Sequence, residues 1–207
     1  MNRTFLDITA SLPLLPTILR RRAASYYPQF APFLKKTDRI LDVGCGPCYF
    51  AESLVQHQHQ VVPIDVTYSP FLTHIPRILY DGDHMPFEND TFDWALIITV
   101  LHHTYDPAAV IAESARVAKK LIIVEDVIWS EWHKYLTWGL DNLYNLEFFT
   151  NPHNNRTEAG WREMFGELGL SVIDVKRQWT SGLTWQKTSF GPIWSHIYFL
   201  ERMNRPS

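Results

Sequence analysis

The chain has 207 residues, 46% hydrophobic and 20% charged, with a formal net charge of −3. That length closes one full core without staples, and that charge gives no electrostatic case for nucleic acid as the main partner. The two cysteines lie three apart in a turn, which makes no disulfide framework and points to a reducing compartment. No apolar run reaches the roughly 18 residues of a membrane span, so a soluble, cytoplasmic single domain is expected.

Asp7, Pro13 and Pro16 interrupt the first apolar stretch, against a signal peptide. Residues 18–27 read as a helix with Arg20, Arg21 and Arg22 on a basic face, closed by Pro28 and Pro32. Those arginines are either a solvated face or a contact for an acidic or phosphorylated substrate, and the segment is placed to lie over the first loop. Residues 40–43 are a short apolar run with one acid, Asp42, as in a buried parallel strand. Gly44 and Gly46 then break the chain, and helical spacing resumes over 49–55. Residues 60–65 read as a second strand, although Pro63 removes a ladder donor.

Asp65 ends that strand 19 residues after Gly46. A carboxylate there either meets ribose hydroxyls, as in nucleotide-binding folds, or caps a loop. Residues 77–80 form a third short strand. Residues 91–98 form a fourth, apolar throughout and therefore central. Asp106 is a good N-cap with Pro107 at the first helical position, and Val110, Ile111, Ser114 and Val117 form the stripe that follows. Residues 121–125 are a fifth buried strand.

The rhythm breaks over 126–156, where Trp129, Trp132, Leu136, Leu140 and Leu143 recur at helical spacing. An aromatic helix of this kind either packs the core or covers an apolar substrate. Thr157 caps a helix carrying Trp161, Phe165 and Leu168 that ends at Gly169. Strands over 170–176 and 196–200 finish the chain, with Gly182, Gly191 and Pro192 marking their connection. The order implies an α/β fold, doubly wound, with a mostly parallel sheet and helices on both faces. One domain over 1–207 follows, made of a cap (1–38), a core (39–125), the aromatic insert (126–156) and a C-terminal helix with strands (157–207).

Strand, glycine turn and helix at 40–55 bring backbone close to a cofactor at a helix N-terminus. A nicotinamide or flavin fingerprint needs glycine where Tyr49 stands. Cys45-Gly46-Pro47-Cys48 has the Cys-x-x-Cys spacing of a redox dithiol and is identical to the Cys-Gly-Pro-Cys of thioredoxins. Asp42, Gly44 and Gly46 also match an Asp/Glu-x-Gly-x-Gly-x-Gly loop, with Cys48 in place of the last glycine. The loop alone leaves these open.

Later residues discriminate. Residues 40–51, 61–65, Asp81-Gly-Asp-His-Met-Pro-Phe-Glu-Asn-Asp-Thr-Phe-Asp93 and the Val-Leu-His-His element at 100–103 together resemble the class I S-adenosylmethionine-dependent methyltransferases, of the small-molecule type. The resemblance implies a Rossmann-like, seven-stranded sheet with an antiparallel last strand. It implies S-adenosyl-L-methionine as cofactor, with S-adenosyl-L-homocysteine as product. It assigns Gly44, Cys45 and Gly46 to the methionine portion and Asp42 to the loop or the amino group. Asp65 falls to the ribose hydroxyls, and Asp83 to the adenine amino group with His84 or Met85 packed on the ring. Thr99 and Leu101 fall to the face where the methyl leaves. Cys48, where the family has glycine, puts the affinity for the methyl donor in doubt, not the fold.

A sulfonium methyl is already activated, so the protein mainly aligns nucleophile, carbon and sulfur. A base is needed for an acceptor that carries a proton, and His102 and His103 are the candidates; the alternative for each is a bond to loop backbone. Glu125, Asp126 and His133 rank behind them. Residues 99–103 offer no carboxylate for a metal-assisted, catechol-type mechanism, so no metal is expected. The partner is then a small, partly apolar or aromatic methyl acceptor. The competing class is a protein that binds S-adenosylmethionine, or serves as a partner subunit, without transfer.

Overall fold

A computed structural model describes residues 15–68, 73–129, 154–179 and 194–203. The aromatic positions 132–144 of the insert, including His133, and the 182–192 connection lie outside the described residues.

The elements are α1 (Leu15–Phe30), β1 (Arg39–Val43), α2 (Tyr49–Gln56), β2 (Gln60–Asp65), β3 (Ile78–Leu79), β4 (Phe92–Ile98), α3 (Pro107–Val117), β5 (Ala118–Val127), α4 (Glu158–Glu167), β6 (Leu170–Trp179) and β7 (Trp194–Arg202). They build one seven-stranded sheet of order β3-β2-β1-β4-β5-β7-β6. β1 to β5 are parallel, and β7 runs antiparallel between β5 and β6.

Alternation along the strands divides the core in two. Leu41, Val43, Ala95, Ile97, Leu121, Ile123, Tyr198 and Leu200 face one side, where Ile111 of α3 and Trp161 and Phe165 of α4 cover them. Ile40, Trp94, Leu96, Ile98, Ile122, Val124, Ile197 and Phe199 face the other, under Tyr26 and Phe30 of α1 and Leu54 of α2. Both faces being covered explains why the strands read as near-continuous apolar runs.

Pro63 sits inside β2 without breaking it. The Ile64 carbonyl accepts from Gly44 and Cys45 N–H on the β1 side, so Pro63 turns its donorless nitrogen the other way. There the two-residue β3 pairs only with Ile64 and Asp65 and does not reach it, so no ladder bond is forfeited.

Pro28 does not close the first helix as expected: α1 runs through it to Phe30. An interior proline costs about 3 kcal/mol. Burying two aromatic side chains, at about 1.5–3 kcal/mol each, outweighs that, and Tyr26 and Phe30 are both buried. The helix lies against α2 rather than over the first loop: Tyr26 packs on Phe50, and Arg20 pairs with Glu52 at 2.7 Å. Asp106 and Thr157 cap α3 and α4 as the sequence indicates, accepting from Ala109 and Gly160 N–H. β5 extends to Val127, so residues 126 and 127 belong to the sheet and not to the insert.

Candidate active site

Because β1, β2, β4 and β5 are parallel, the segments that follow them emerge at one edge of the sheet. Strand order reverses between β1 and β4, and open α/β sheets bind ligands in the crevice at such a point. Here the loops after β1 and β4 touch. Gly44 has φ +67°, and a Cβ on it would lie 2.7 and 2.8 Å from the Val100 methyls. Only glycine permits this approach.

Gly46 has φ +48°, with open space where a Cβ would stand. Its N–H donates to Asp65 Oδ2 at 2.7 Å, and Asp65 Oδ1 accepts from Thr67 N–H at 3.0 Å. Arg77 donates to the Gly46 carbonyl. Asp65 therefore braces the glycine loop, the capping role its strand-end position allowed. Cys48 is left-handed at the head of α2 (φ 59°) and buried with Cys45, Ala51 and Val61, so it points into the protein.

Asp42 is the anomaly of the site. It is 2% exposed, and its Oδ2 has no hydrogen-bond partner among the described residues. Burial first, then the nearby Asp65 charge, pushes its carboxyl up from 3.8 to about 7, against an opposing bond from the Ala51 N–H.

Farther along the edge, Asp81 rather than Asp83 organises the turn after β3. Its Oδ1 accepts from Asp83 and His84 N–H, both at 2.9 Å, and those bonds hold its carboxyl below the usual range. Asp83 is exposed, and His84 turns toward Glu113 at 3.1 Å. Met85 is wholly buried in the core, so it cannot pack on an adenine ring as the resemblance allowed. The Tyr80 phenol is pushed up to about 12 by its burial and then by the Asp65 charge.

On the other side of the crevice, Thr99 is left-handed (φ 54°), which for a β-branched residue is a strained conformation. Its N–H donates to the Val124 carbonyl at 2.8 Å. The fully buried Glu125 takes the next two: Oε1 accepts from Val100 N–H at 3.0 Å and Leu101 N–H at 2.7 Å. Its Oε2 lies 2.5 Å from His102 Nδ1. His102 is 1% exposed, and His103 packs on it with ring centroids 3.9 Å apart. Asn154 closes the arrangement, donating from its backbone to the His102 carbonyl and from its side chain to the Thr104 carbonyl.

The fold thus gathers Asp42, Gly44, Cys45, Gly46 and Asp65 on one side of the crevice, Thr99, His102 and His103 on the other, and Asp83 and His84 at its outer end. Sequence reasoning missed Arg77, Tyr80 and Asn154, whose partners are 31, 15 and 50 or more residues away, and no local pattern marks them.

Comparison with known proteins bears on the fold that carries these residues. Residues 41–121 match the family model described as a methyltransferase domain. A ubiquinone biosynthesis O-methyltransferase of Hahella chejuensis is 35% identical over 92 residues, which are 39% of this chain and 39% of that protein. The chain therefore spans well under half the length of that relative. Among solved structures, a chain in the complex of the Haloferax volcanii Trm112 methyltransferase activator matches with TM-score 0.71 at 15% identity, covering 93% of this chain and 94% of that one. An S-adenosylmethionine-dependent methyltransferase of Archaeoglobus fulgidus matches with TM-score 0.65 at 15% identity, over 88% and 94%. Residues 41–121 thus match a methyltransferase domain, and the sheet has the fold of solved structures described as S-adenosylmethionine-dependent methyltransferases, a likeness that implies S-adenosylmethionine as cofactor.

Proposed function

We propose that the chain transfers the methyl group of S-adenosylmethionine to a hydroxyl of a small, partly apolar or aromatic acceptor. The observation that carries this is the carboxyl pair at the ends of β1 and β2 under an open glycine loop, with one Asp42 oxygen buried and unpartnered. Such an oxygen is costly unless something pairs with it, and the cationic amino group of the cofactor is a fitting partner. Asp65 spends two short bonds on the loop; a carboxylate has about four acceptor positions, which leaves room for ribose hydroxyls. Asp83 and His84, on the exposed turn, are assigned to the adenine end in this reading.

When bound, the sulfonium supplies an activated methyl carbon. The chain's part is to align the acceptor and to take its proton. Glu125 holds the 99–102 turn and the His102 ring in one orientation, and in the His102–His103 pair the half-buried His103 is the imidazole open to an acceptor hydroxyl. The name of the Hahella relative, an O-methyltransferase of ubiquinone biosynthesis, supports a small-molecule acceptor methylated at oxygen.

The burial of His102 favours a second reading, binding without transfer. One experiment separates them: calorimetric titration of the reduced protein with S-adenosylmethionine and S-adenosylhomocysteine, followed by a screen of phenolic and apolar alcohols for S-adenosylhomocysteine release. Binding with release supports the enzyme, and binding without release across the screen supports the second reading. No binding of either compound would sink both.

A further inference from the structure

The glycine loop holds two thiols for which methyl transfer has no use. Cys45 and Cys48 are both buried, and their Sγ atoms stand 2.7 Å apart. That is inside the contact distance of two unbonded sulfurs and less than about 1 Å beyond a disulfide bond. The turn between them is tight, with the Cys48 N–H donating to the Cys45 carbonyl at 2.6 Å. A proton shared across such a pair makes the two thiols unequal. Their mutual bond, and next the Arg77 charge, draws Cys48 below its usual value, while the same bond and burial push Cys45 up. Cys48 is thus the more acidic of the pair, the one that gives up its proton first, and Cys45 the less acidic.

We propose that Cys45 and Cys48 are a redox modification site: a small hydroperoxide converts them to an intramolecular disulfide, and closing that bond weakens binding of the methyl donor. Burial limits the oxidant to something small. The Cys48 thiolate attacks one peroxide oxygen; the S–O bond forms, the O–O bond breaks, and the other oxygen leaves with a proton as water or alcohol. The Cys45 sulfur then attacks the Cys48 sulfenic sulfur. The S–S bond forms, the S–O bond breaks, and the departing hydroxide takes the Cys45 proton as water. Two thiols lose two electrons and the peroxide gains them.

The consequence for the cofactor rests on the proposed binding site. Gly46 lies between the two cysteines, and its N–H and carbonyl tie the loop to Asp65 and Arg77. Drawing the sulfurs together fixes the turn that carries both ties, so the loop and Asp65 lose the freedom to adjust around a ribose.

The test uses the full chain, reduced, desalted and treated with hydrogen peroxide. Thiol titration and intact mass read the disulfide, and calorimetry with S-adenosylhomocysteine reads the site before oxidation, after it, and after dithiothreitol. Expected are loss of both thiols with the mass of two hydrogens, an affinity lower by about tenfold or more, and recovery on reduction. A Cys48→Gly variant suits the left-handed backbone at that position and should bind S-adenosylhomocysteine alike before and after peroxide. Persistence of both thiols would overturn the proposal, as would a disulfide that leaves affinity within about twofold. If the reduced protein binds no S-adenosylhomocysteine, the cofactor-site reading fails and the effect on binding fails with it; the thiol count and mass then still decide whether the disulfide forms.

Discussion

Replacing Asp42 with asparagine should make the protein more stable and a poorer binder of S-adenosylhomocysteine. The buried carboxyl titrates near 7 in the folded chain against 3.8 ordinarily. A folded value above the unfolded one gives stability that is fully present below 3.8 and is lost as pH rises through 7. The gap is about three units, and at about 1.4 kcal/mol per unit it amounts to about 4 kcal/mol by pH 8. About 1–2 kcal/mol of that is already lost at pH 5. Asparagine keeps an oxygen for the Ala51 N–H and carries no charge. In urea unfolding its advantage should therefore grow from about 1–2 kcal/mol at pH 5 to about 4 kcal/mol at pH 8. Affinity for S-adenosylhomocysteine at pH 8 should move the other way, falling by about 1–3 kcal/mol as the ammonium loses its charged acceptor. A stability difference independent of pH would refute the reasoning, and unchanged affinity would remove Asp42 from the binding site.

Asp65→Ala should weaken S-adenosylhomocysteine binding by about 1–3 kcal/mol, read by calorimetry; an affinity equal to wild type would mean that Asp65 only braces the loop. Gly44→Ala forces a Cβ against Val100, and denaturant midpoints should show a loss of about 1–3 kcal/mol, partly recovered when Val100→Ala is added. Glu125→Gln removes the acceptor facing His102 Nδ1. It should cost about 1–3 kcal/mol of stability and shift the His102 ring nitrogen resonances, which a loss confined to backbone packing would leave in place. Pro28→Ala restores a helical N–H within α1 and should raise stability by about 2–3 kcal/mol, the interior-proline cost less the unfolded-state entropy that proline had removed, measured by thermal unfolding.

Much of the sheet could be read from the chain because local signals and tertiary burial agree there. The runs at 40–43, 91–98 and 121–125 are apolar on both faces because helices cover both faces, and Asp106-Pro107 and Thr157 announce their helices with side chains that do cap them. Reading failed where a distant contact decides the outcome. Pro28 looks like a helix end until Tyr26 and Phe30 are seen packed under the sheet face. Pro63 looks like an objection until β3 proves too short to need its N–H.

The site divides in the same way. Asp42, Gly44, Gly46 and Asp65 could be put forward as candidates from spacing and resemblance, but their states could not be read. The Asp42 charge is perturbed by Asp65, 23 residues on, and Asp65 is occupied by Gly46, 19 residues back. Thr99 and Glu125 show why. A left-handed threonine points successive N–H groups away from its own segment, so the acceptor that satisfies them has to come from another strand. Glu125 supplies it from the end of β5 and gives its second oxygen to His102. A strained turn alone would relax, and a buried carboxylate alone would be expelled or protonated. Each removes the other's cost, and together they fix the backbone that faces the glycine loop across the crevice. The strain at Thr99 and the buried carboxyl of Glu125 are one device, and its two halves lie 26 residues apart in the chain.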